Sequence, residues 1–296
     1  MLTITKQDYL KAWVLTTRPK TLILSCIPFF VGTVASSGYV KKIDYFLLLF
    51  AVLSALSIQI ATNFINDVYD AKHNADKPSR LGPKRGIQSG VLAVDEVFFG
   101  GIALFVLAFL FGIPLILKGG TPIFLLLLAS IFSGFIYTGG KKPLAYNGLG
   151  ELFVILFFGL ASTTAAFFFQ TGFLNVEILL LGVQLGFFAS IPIAINNLRD
   201  LEEDKKVHKK TLAVRFGKKM ARMEIALLVL LPFVLNFYHK PLSEALIPFL
   251  VSPLSLSLIY YIYKEEPGEC YNRFLGQSIL AYFLFTIFWS FGRIVI

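Results

Sequence analysis

Charge is what this chain of 296 residues has least of: 15% of it is Asp, Glu, Lys or Arg, while 56% is hydrophobic. Soluble domains carry roughly a quarter charged residues. A water-soluble protein of this make-up would lack the polar side chains to cover its surface. That excludes a soluble enzyme, a disordered chain and an ordinary nucleic-acid binder, so no nucleic-acid partner is expected. Cysteine is nearly absent. Cys26 and Cys270 are far apart in sequence, and neither a disulfide framework nor a zinc site is indicated. His73, His208 and His239 stand at no ligand spacing. The opening residues also lack the short apolar core and small-residue cleavage site of a signal peptide.

What is present in quantity is long apolar segments. Crossing a bilayer takes about 20 apolar residues in a helix, which alone satisfies its own backbone there. Nine segments approach that length: 21–38, 45–66, 97–117, 121–138, 152–170, 178–198, 223–238, 245–263 and 274–292. The seventh is charge-free only over 225–237 and needs Met223 and Tyr238 to reach across. The expected fold is therefore all-α, a single nine-span bundle over residues 1–296 in the lipid bilayer. Residues 1–20 form an arm in which Tyr9, Leu10, Trp13 and Val14 mark one side of a short helix in the headgroup region.

Basic residues set the orientation. Of the 27 Lys and Arg, 22 fall in the arm and in the loops after spans two, four, six and eight. The N-terminus and those loops are expected in the cytoplasm, as in a multi-pass plasma (inner) membrane protein. Two of these loops, 67–96 and 199–224, also hold 10 of the 18 acids. Positive-inside bias accounts for the bases but not for the acids.

The acids fall into two constellations. In Asn63-Phe-Ile-Asn66-Asp67-Val-Tyr-Asp70, residues 63, 67 and 70 stack along one helix face. In Asn196-Asn197-Leu-Arg199-Asp200-Leu-Glu-Glu-Asp204, residues 196, 200 and 204 do the same. They lie four spans apart, which suggests a weak internal repeat. Like charges at this spacing repel, a penalty that bound cations would offset. Carboxylate, amide oxygen and water are ligands of Mg²⁺, which typically bridges one or two carboxylates to substrate phosphates. Lys84, Arg85, Arg199, Lys205, Lys209, Lys210 and Arg215 lie nearby in sequence. Together these groups make a site for a polyanion such as diphosphate. The bland alternative is a pair of solvated helix ends.

The two motifs resemble the N-x-x-x-D-x-x-D and D-x-x-x-D signatures of the UbiA superfamily of intramembrane prenyltransferases. Arg18-Pro19-Lys20-Thr21 resembles that family's entry to the first helix, and Tyr137-Thr138 its segment after the fourth. Within the superfamily the chain looks most like the 1,4-dihydroxy-2-naphthoate polyprenyltransferases of menaquinone synthesis. The stretches that carry this are Arg80-Leu-Gly-Pro-Lys84-Arg85-Gly-Ile-Gln-Ser-Gly90, Gly148-Leu-Gly-Glu151 and Lys210-Thr-Leu-Ala-Val-Arg-Phe-Gly217. Asn74 departs from the pattern, standing where many members have an acid; Asp76 is nearby.

The resemblance implies a nine-helix bundle that transfers a polyprenyl chain from polyprenyl diphosphate to an aromatic acceptor, with loss of CO₂ if the acceptor is the naphthoate. It implies two Mg²⁺, one on Asp67 and Asp70 and one on Asp200 and Asp204, with Asn63 assisting. Diphosphate and substrate contacts are then expected from Asn63, Asn66, Arg18, Lys84, Arg85, Lys141, Asn196, Arg199 and Lys210. Arg18 would meet either the acceptor carboxylate or a lipid phosphate. Tyr137 is either a cation–π partner of the allylic cation or an interfacial anchor. The other readings are a superfamily member acting on 4-hydroxybenzoate or a lipid alcohol, and a membrane cation transporter. Transporters place ionisable groups at the membrane midplane, whereas here the acids gather at segment ends.

Overall fold

The computed structural model describes residues 5–72, 86–140, 143–239 and 245–295. Lys84, Arg85 and Lys141, with Asn74 and Asp76, lie outside the described residues. The described chain is helical. Helix α1 is Lys6–Thr17, α2 Pro19–Ala35, α3 Tyr45–Lys72 and α4 Val94–Ile136. They are followed by α5 Gly150–Thr171, α6 Val176–Arg199, α7 Leu201–Lys206, α8 Leu212–Asn236, α9 Ile247–Lys264 and α10 Tyr271–Val295.

Local sequence explains several boundaries. Thr5 and Asp8 close a capping box at the start of α1. Pro19 opens α2, where its missing N–H costs nothing. Between these helices Arg18 adopts the left-handed region with φ 56°. Helix α3 runs on to Lys72, past the end of the charge-free run, so Asp67 and Asp70 lie in its last turns.

Among the described residues seven helices are long and apolar enough to cross a membrane: α2 with its trailing turn, α3, α4, α5, α6, α9 and α10. Helix α4 corresponds to two expected spans. It is broken at Gly120, where φ is 67° and ψ −154°, a conformation that glycine adopts at little cost. The chain folds back there. The rings of Phe105 and Phe135 are 6.5 Å apart, whereas a straight helix would separate them by about 45 Å at 1.5 Å per residue. Helix α8 is broken at Gly217, where φ is 80° and ψ 175°, and carries Arg222 and Glu224 ahead of the apolar part of the seventh expected span, 223–238. Arg222 and Lys218 reach Glu266 at the turn between α9 and α10, at 3.3 and 2.8 Å.

The most buried span is α6. Leu185, Phe188, Ile191 and Ile195 on α6 pack with Ile225 and Phe233 of α8 and with Tyr282 and Phe285 of α10. Phe188 and Tyr282 stack with ring centres 5.7 Å apart. Helix α5 reaches α6 at backbone distance. A Cβ on Gly159 would fall inside the van der Waals envelope of Gly182 and Gly186, a small-residue contact of the kind that lets membrane helices approach closely. Residues Ile155–Ala161 of α5 are wound as a π-helix at this contact. The opposite faces carry exposed apolar side chains such as Phe99, Leu117 and Phe132, as a bilayer-facing surface requires.

The arm divides differently from the expectation. Tyr9 and Trp13 turn inward, Trp13 meeting Phe64 at 5.2 Å and lying against Gly100, while Leu10 and Val14 are exposed. Burying the larger aromatic side chains against α3 and α4 removes more apolar surface than laying all four in the headgroups.

Candidate active site

The ends of α3 and α6 come together at one end of the bundle. Asp67 is fully buried, and the Arg18 guanidinium donates to its Oδ1 at 2.7 Å. Arg18 also engages Asn66. With the Asn66 amide turned so that its oxygen meets the guanidinium, that oxygen lies 3.0 Å from Nη1, and its nitrogen donates to Asp70 Oδ2 at 3.1 Å. Asn63, one turn earlier, donates from Nδ2 to the Thr17 carbonyl at 3.0 Å. The left-handed turn at Arg18 thus lies against the whole first constellation.

The second constellation crosses a bend. Helix α6 ends at Arg199, and Asp200 leaves helical geometry at φ −93° and ψ 10° before α7 begins. The i to i+4 backbone bonds survive on both sides, from Asp200 N to Asn196 O at 2.9 Å and from Asp204 N to Asp200 O at 2.8 Å. Arg199 is buried and grips both oxygens of Asp200 at 2.7 Å, while its Nη1 donates to Asn272 of α10 at 2.6 Å. Arg199, expected as a diphosphate contact, here pairs with Asp200 and Asn272. Burial pushes the Asp204 carboxyl up, and Lys209 at 3.2 Å pulls it back. The carboxylates of Asp200 and Asp70 lie close enough to raise it further.

Tyr146 and Lys209 join the two constellations. The Tyr146 hydroxyl donates to Asp70 Oδ1 at 3.0 Å. Its ring lies under the Lys209 ammonium, 4.9 Å from the centroid. The Tyr146 carbonyl accepts from Lys210 N at 2.8 Å. The Lys210 side chain is exposed, and Lys209, its neighbour, is the one that reaches the carboxylates.

Tyr137 stands on the wall of the same site. It is half-buried, its hydroxyl faces Gly150, and it lies within electrostatic reach of Glu151 and Arg18. Asn197 donates to Glu151 Oε1 at 2.5 Å. Tyr146, Glu151, Asn197 and Asn272 are contributors to which sequence reasoning gave no role. Asn197 lies within the second constellation and Glu151 within the Gly148-Leu-Gly-Glu151 stretch, whereas Tyr146 and Asn272 carried no signal.

The donor set suits a hard divalent ion: four carboxylates and amide oxygens, with basic groups to hold an anion. Among the described residues no three His, Cys, Asp or Glu side chains converge as a ready-made metal cage. Asp67, Asp200 and Asp204 are each neutralised by Arg18, Arg199 and Lys209 instead.

The model of the UbiA prenyltransferase family matches residues 25–292. A Haemophilus influenzae protein named 1,4-dihydroxy-2-naphthoate octaprenyltransferase is 32% identical over 97% of both chains. An Escherichia coli protein of the same name is 31% identical over 95% of this chain and 94% of its own. Among solved structures, a UbiA homolog from Archaeoglobus fulgidus bound to GPP and Mg²⁺ superposes with a TM-score of 0.68 at 19% identity, over 96% of this chain and 100% of that one.

Proposed function

This chain belongs to the UbiA prenyltransferase family and is a multi-pass membrane prenyltransferase, and we propose that it transfers a polyprenyl chain from polyprenyl diphosphate to 1,4-dihydroxy-2-naphthoate, with loss of CO₂, in menaquinone biosynthesis. The observation that carries this reading is the meeting of Asp70 and Asp204, from distant stretches of chain, through Tyr146 and Lys209. The acceptor is taken from the names of the relatives.

In this reading nine spans cross the bilayer, with α4 counted as a hairpin and α8 as a span, and the site opens toward the cytoplasm. Two Mg²⁺ would be held by Asp67 with Asp70 and by Asp200 with Asp204, Asn63 offering its amide oxygen. When bound, the ions supply charge neutralisation for the departing diphosphate. Arg18 and Lys209 serve as resident counter-charges that the incoming phosphates would draw off, and Lys84, Arg85, Lys141 and Lys210 would add phosphate contacts. Arg199 holds Asp200 in orientation. Asn66 and Asn196 present amides to the phosphate oxygens. The Tyr137 ring offers an electron-rich face to the allylic cation, and the buried wall around it keeps water from that cation. The bilayer setting brings in the prenyl tail, since each CH₂ removed from water contributes about 0.8 kcal/mol.

The transporter reading loses its footing in the family assignment, and the Asp70 and Asp204 carboxylates sit at helix ends, away from any mid-span site. The deciding experiment supplies one radiolabelled polyprenyl diphosphate to the protein in detergent or nanodiscs, with and without Mg²⁺, against naphthoate, benzoate and lipid-alcohol acceptors. Mg²⁺-dependent label in the decarboxylated naphthoate product supports the proposal; label in another acceptor alone refutes the naphthoate assignment.

A further inference from the structure

Glu151 is a buried carboxylate that none of the roles above employs. It stands in the first turn of α5 and is only 5% exposed. Oε1 accepts from Asn197, but Oε2 is buried and has no hydrogen-bond partner among the described residues. A carboxylate oxygen left bare inside a helical bundle is costly and calls for a reason. Its surroundings are those of the site. A Cβ on the preceding Gly150 would lie 3.0 Å from the Tyr137 hydroxyl, so the phenol rests directly on the turn that presents Glu151. Asn197 belongs to the second aspartate constellation. Ser190 of α6 donates to the Glu151 carbonyl at 3.2 Å and fixes that turn in place. The titratable groups facing it are Tyr137, at the end of α4, and Glu224, from α8, with Arg18 beyond Tyr137.

We propose that Glu151 is the general base for the aromatic acceptor, receiving the proton of a ring hydroxyl on Oε2. The inference rests on the reading of the site as an aromatic prenyltransferase. The ring's electron pair forms the new C–C bond to the allylic carbon, and the allylic C–O bond breaks with its pair leaving on diphosphate. The positive charge left on the ring is discharged when the hydroxyl O–H pair collapses into a C=O bond and the proton passes to Glu151. Where the attacked carbon carries a carboxylate, the resulting β-keto acid loses CO₂. The electrons of that C–C bond restore the aromatic ring, and the oxygen takes its proton back from Glu151. Asn197 holds Oε1 so that Oε2 is the oxygen presented, and the Gly150 turn keeps Tyr137 against the same space.

The test uses Glu151→Gln, which keeps the volume and an oxygen for Asn197, and Glu151→Asp, both in the full chain. Two rates are followed with Mg²⁺ and polyprenyl diphosphate: transfer to a dihydroxynaphthoate acceptor, and ionisation of the diphosphate alone, read by positional isotope exchange of its bridging oxygen. In Glu151→Gln, transfer should fall by about 10²–10⁴-fold, the usual contribution of a general base, while ionisation stays within about twofold. The residual transfer should climb with pH as the acceptor hydroxyl ionises in solution, and Glu151→Asp should recover part of the rate. Wild-type transfer in Glu151→Gln overturns the proposal, and so does a parallel loss of ionisation, which a merely structural role would produce. A wild-type protein that ionises the diphosphate yet prenylates no aromatic acceptor overturns the underlying reading, and this inference with it.

Discussion

Tyr146 donates its phenolic proton to Asp70 across 3.0 Å, and it is through this ring that the two aspartate stretches meet. Lys209 lies over the ring and pairs with Asp204. Replacing Tyr146 by Phe keeps the face that Lys209 covers and removes the bond to Asp70. Hydrogen bonds to charged groups contribute about 1.5–3 kcal/mol, so kcat/KM for polyprenyl diphosphate should fall about tenfold or more. The Mg²⁺ concentration needed for half-maximal transfer should rise. An unchanged Mg²⁺ titration would mean that Tyr146 only closes the fold.

Asp67 and Asp200 are expected to matter equally for transfer and unequally for stability. Asn at either position keeps the shape but removes the charge, and transfer should drop at least about a hundredfold, several kcal/mol of lost charge stabilisation. The guanidinium left behind is 4% exposed for Arg199 and 30% exposed for Arg18. An unpaired charge costs more the deeper it is buried, so Asp200→Asn should lower the thermal midpoint more than Asp67→Asn. Asp67→Ala should be worse than Asp67→Asn, because it also empties the space. Near-normal transfer in either Asn variant would defeat the metal assignment.

Much of this site is legible in the charged residues of the sequence. The spacing of Asn63, Asp67 and Asp70, and of Asn196, Asp200 and Asp204, marks faces because helical periodicity is a local property. The expected spans 97–117 and 121–138 likewise bracket the fold-back at Gly120. How far a helix runs past its apolar stretch is not legible there: α3 continues to Lys72. Nor is the bend at Asp200, which interrupts the helix face expected over 196–204. Tyr146 and Asn272 are common residue types at unremarkable spacings, and only the approach of the loop before α5 and of α10 gives them partners. Of the bases near the second motif, Arg199 meets Asp200 and Lys209 meets Asp204, while the Lys210 side chain is exposed.

Arg18 combines a strained backbone with a buried partnership, and two substitutions separate the contributions. Its left-handed φ of 56° costs a non-glycine residue roughly 1–2 kcal/mol. Its guanidinium neutralises Asp67, and removing one member of a buried pair costs about 3–5 kcal/mol, less here because Arg18 is 30% exposed. Arg18→Ala should therefore destabilise the protein by a few kcal/mol. Arg18→Gly should be the milder of the two by about 1 kcal/mol, with both equally impaired in transfer. Thermal unfolding in detergent compares them. If the two midpoints coincide, the turn carries no strain.

The meeting of α5 and α6 gives the sharpest packing test, because the contact is backbone on backbone. At Gly159 an added Cβ would collide with Gly182 and Gly186, where no flexible side chain can swing aside. The helices would have to part, and with them the first turn of α5, which sets Gly150 against Tyr137 and Glu151 against Asn197. Overpacking of this kind costs about 1–3 kcal/mol or more. Gly276 on α10 has nothing within 4 Å of its Cβ position, so Gly276→Ala should be neutral or slightly stabilising, as alanine favours a helix by about 1 kcal/mol. Gly159→Ala should lower the thermal midpoint clearly, and it should slow transfer more than it weakens diphosphate binding, because the displaced elements carry Tyr137 and Glu151, which the proposals above assign to the chemical step. Equal midpoints for the two variants would show that α5 can slide without penalty, and the close approach would then not be what holds Tyr137 and Glu151 in place.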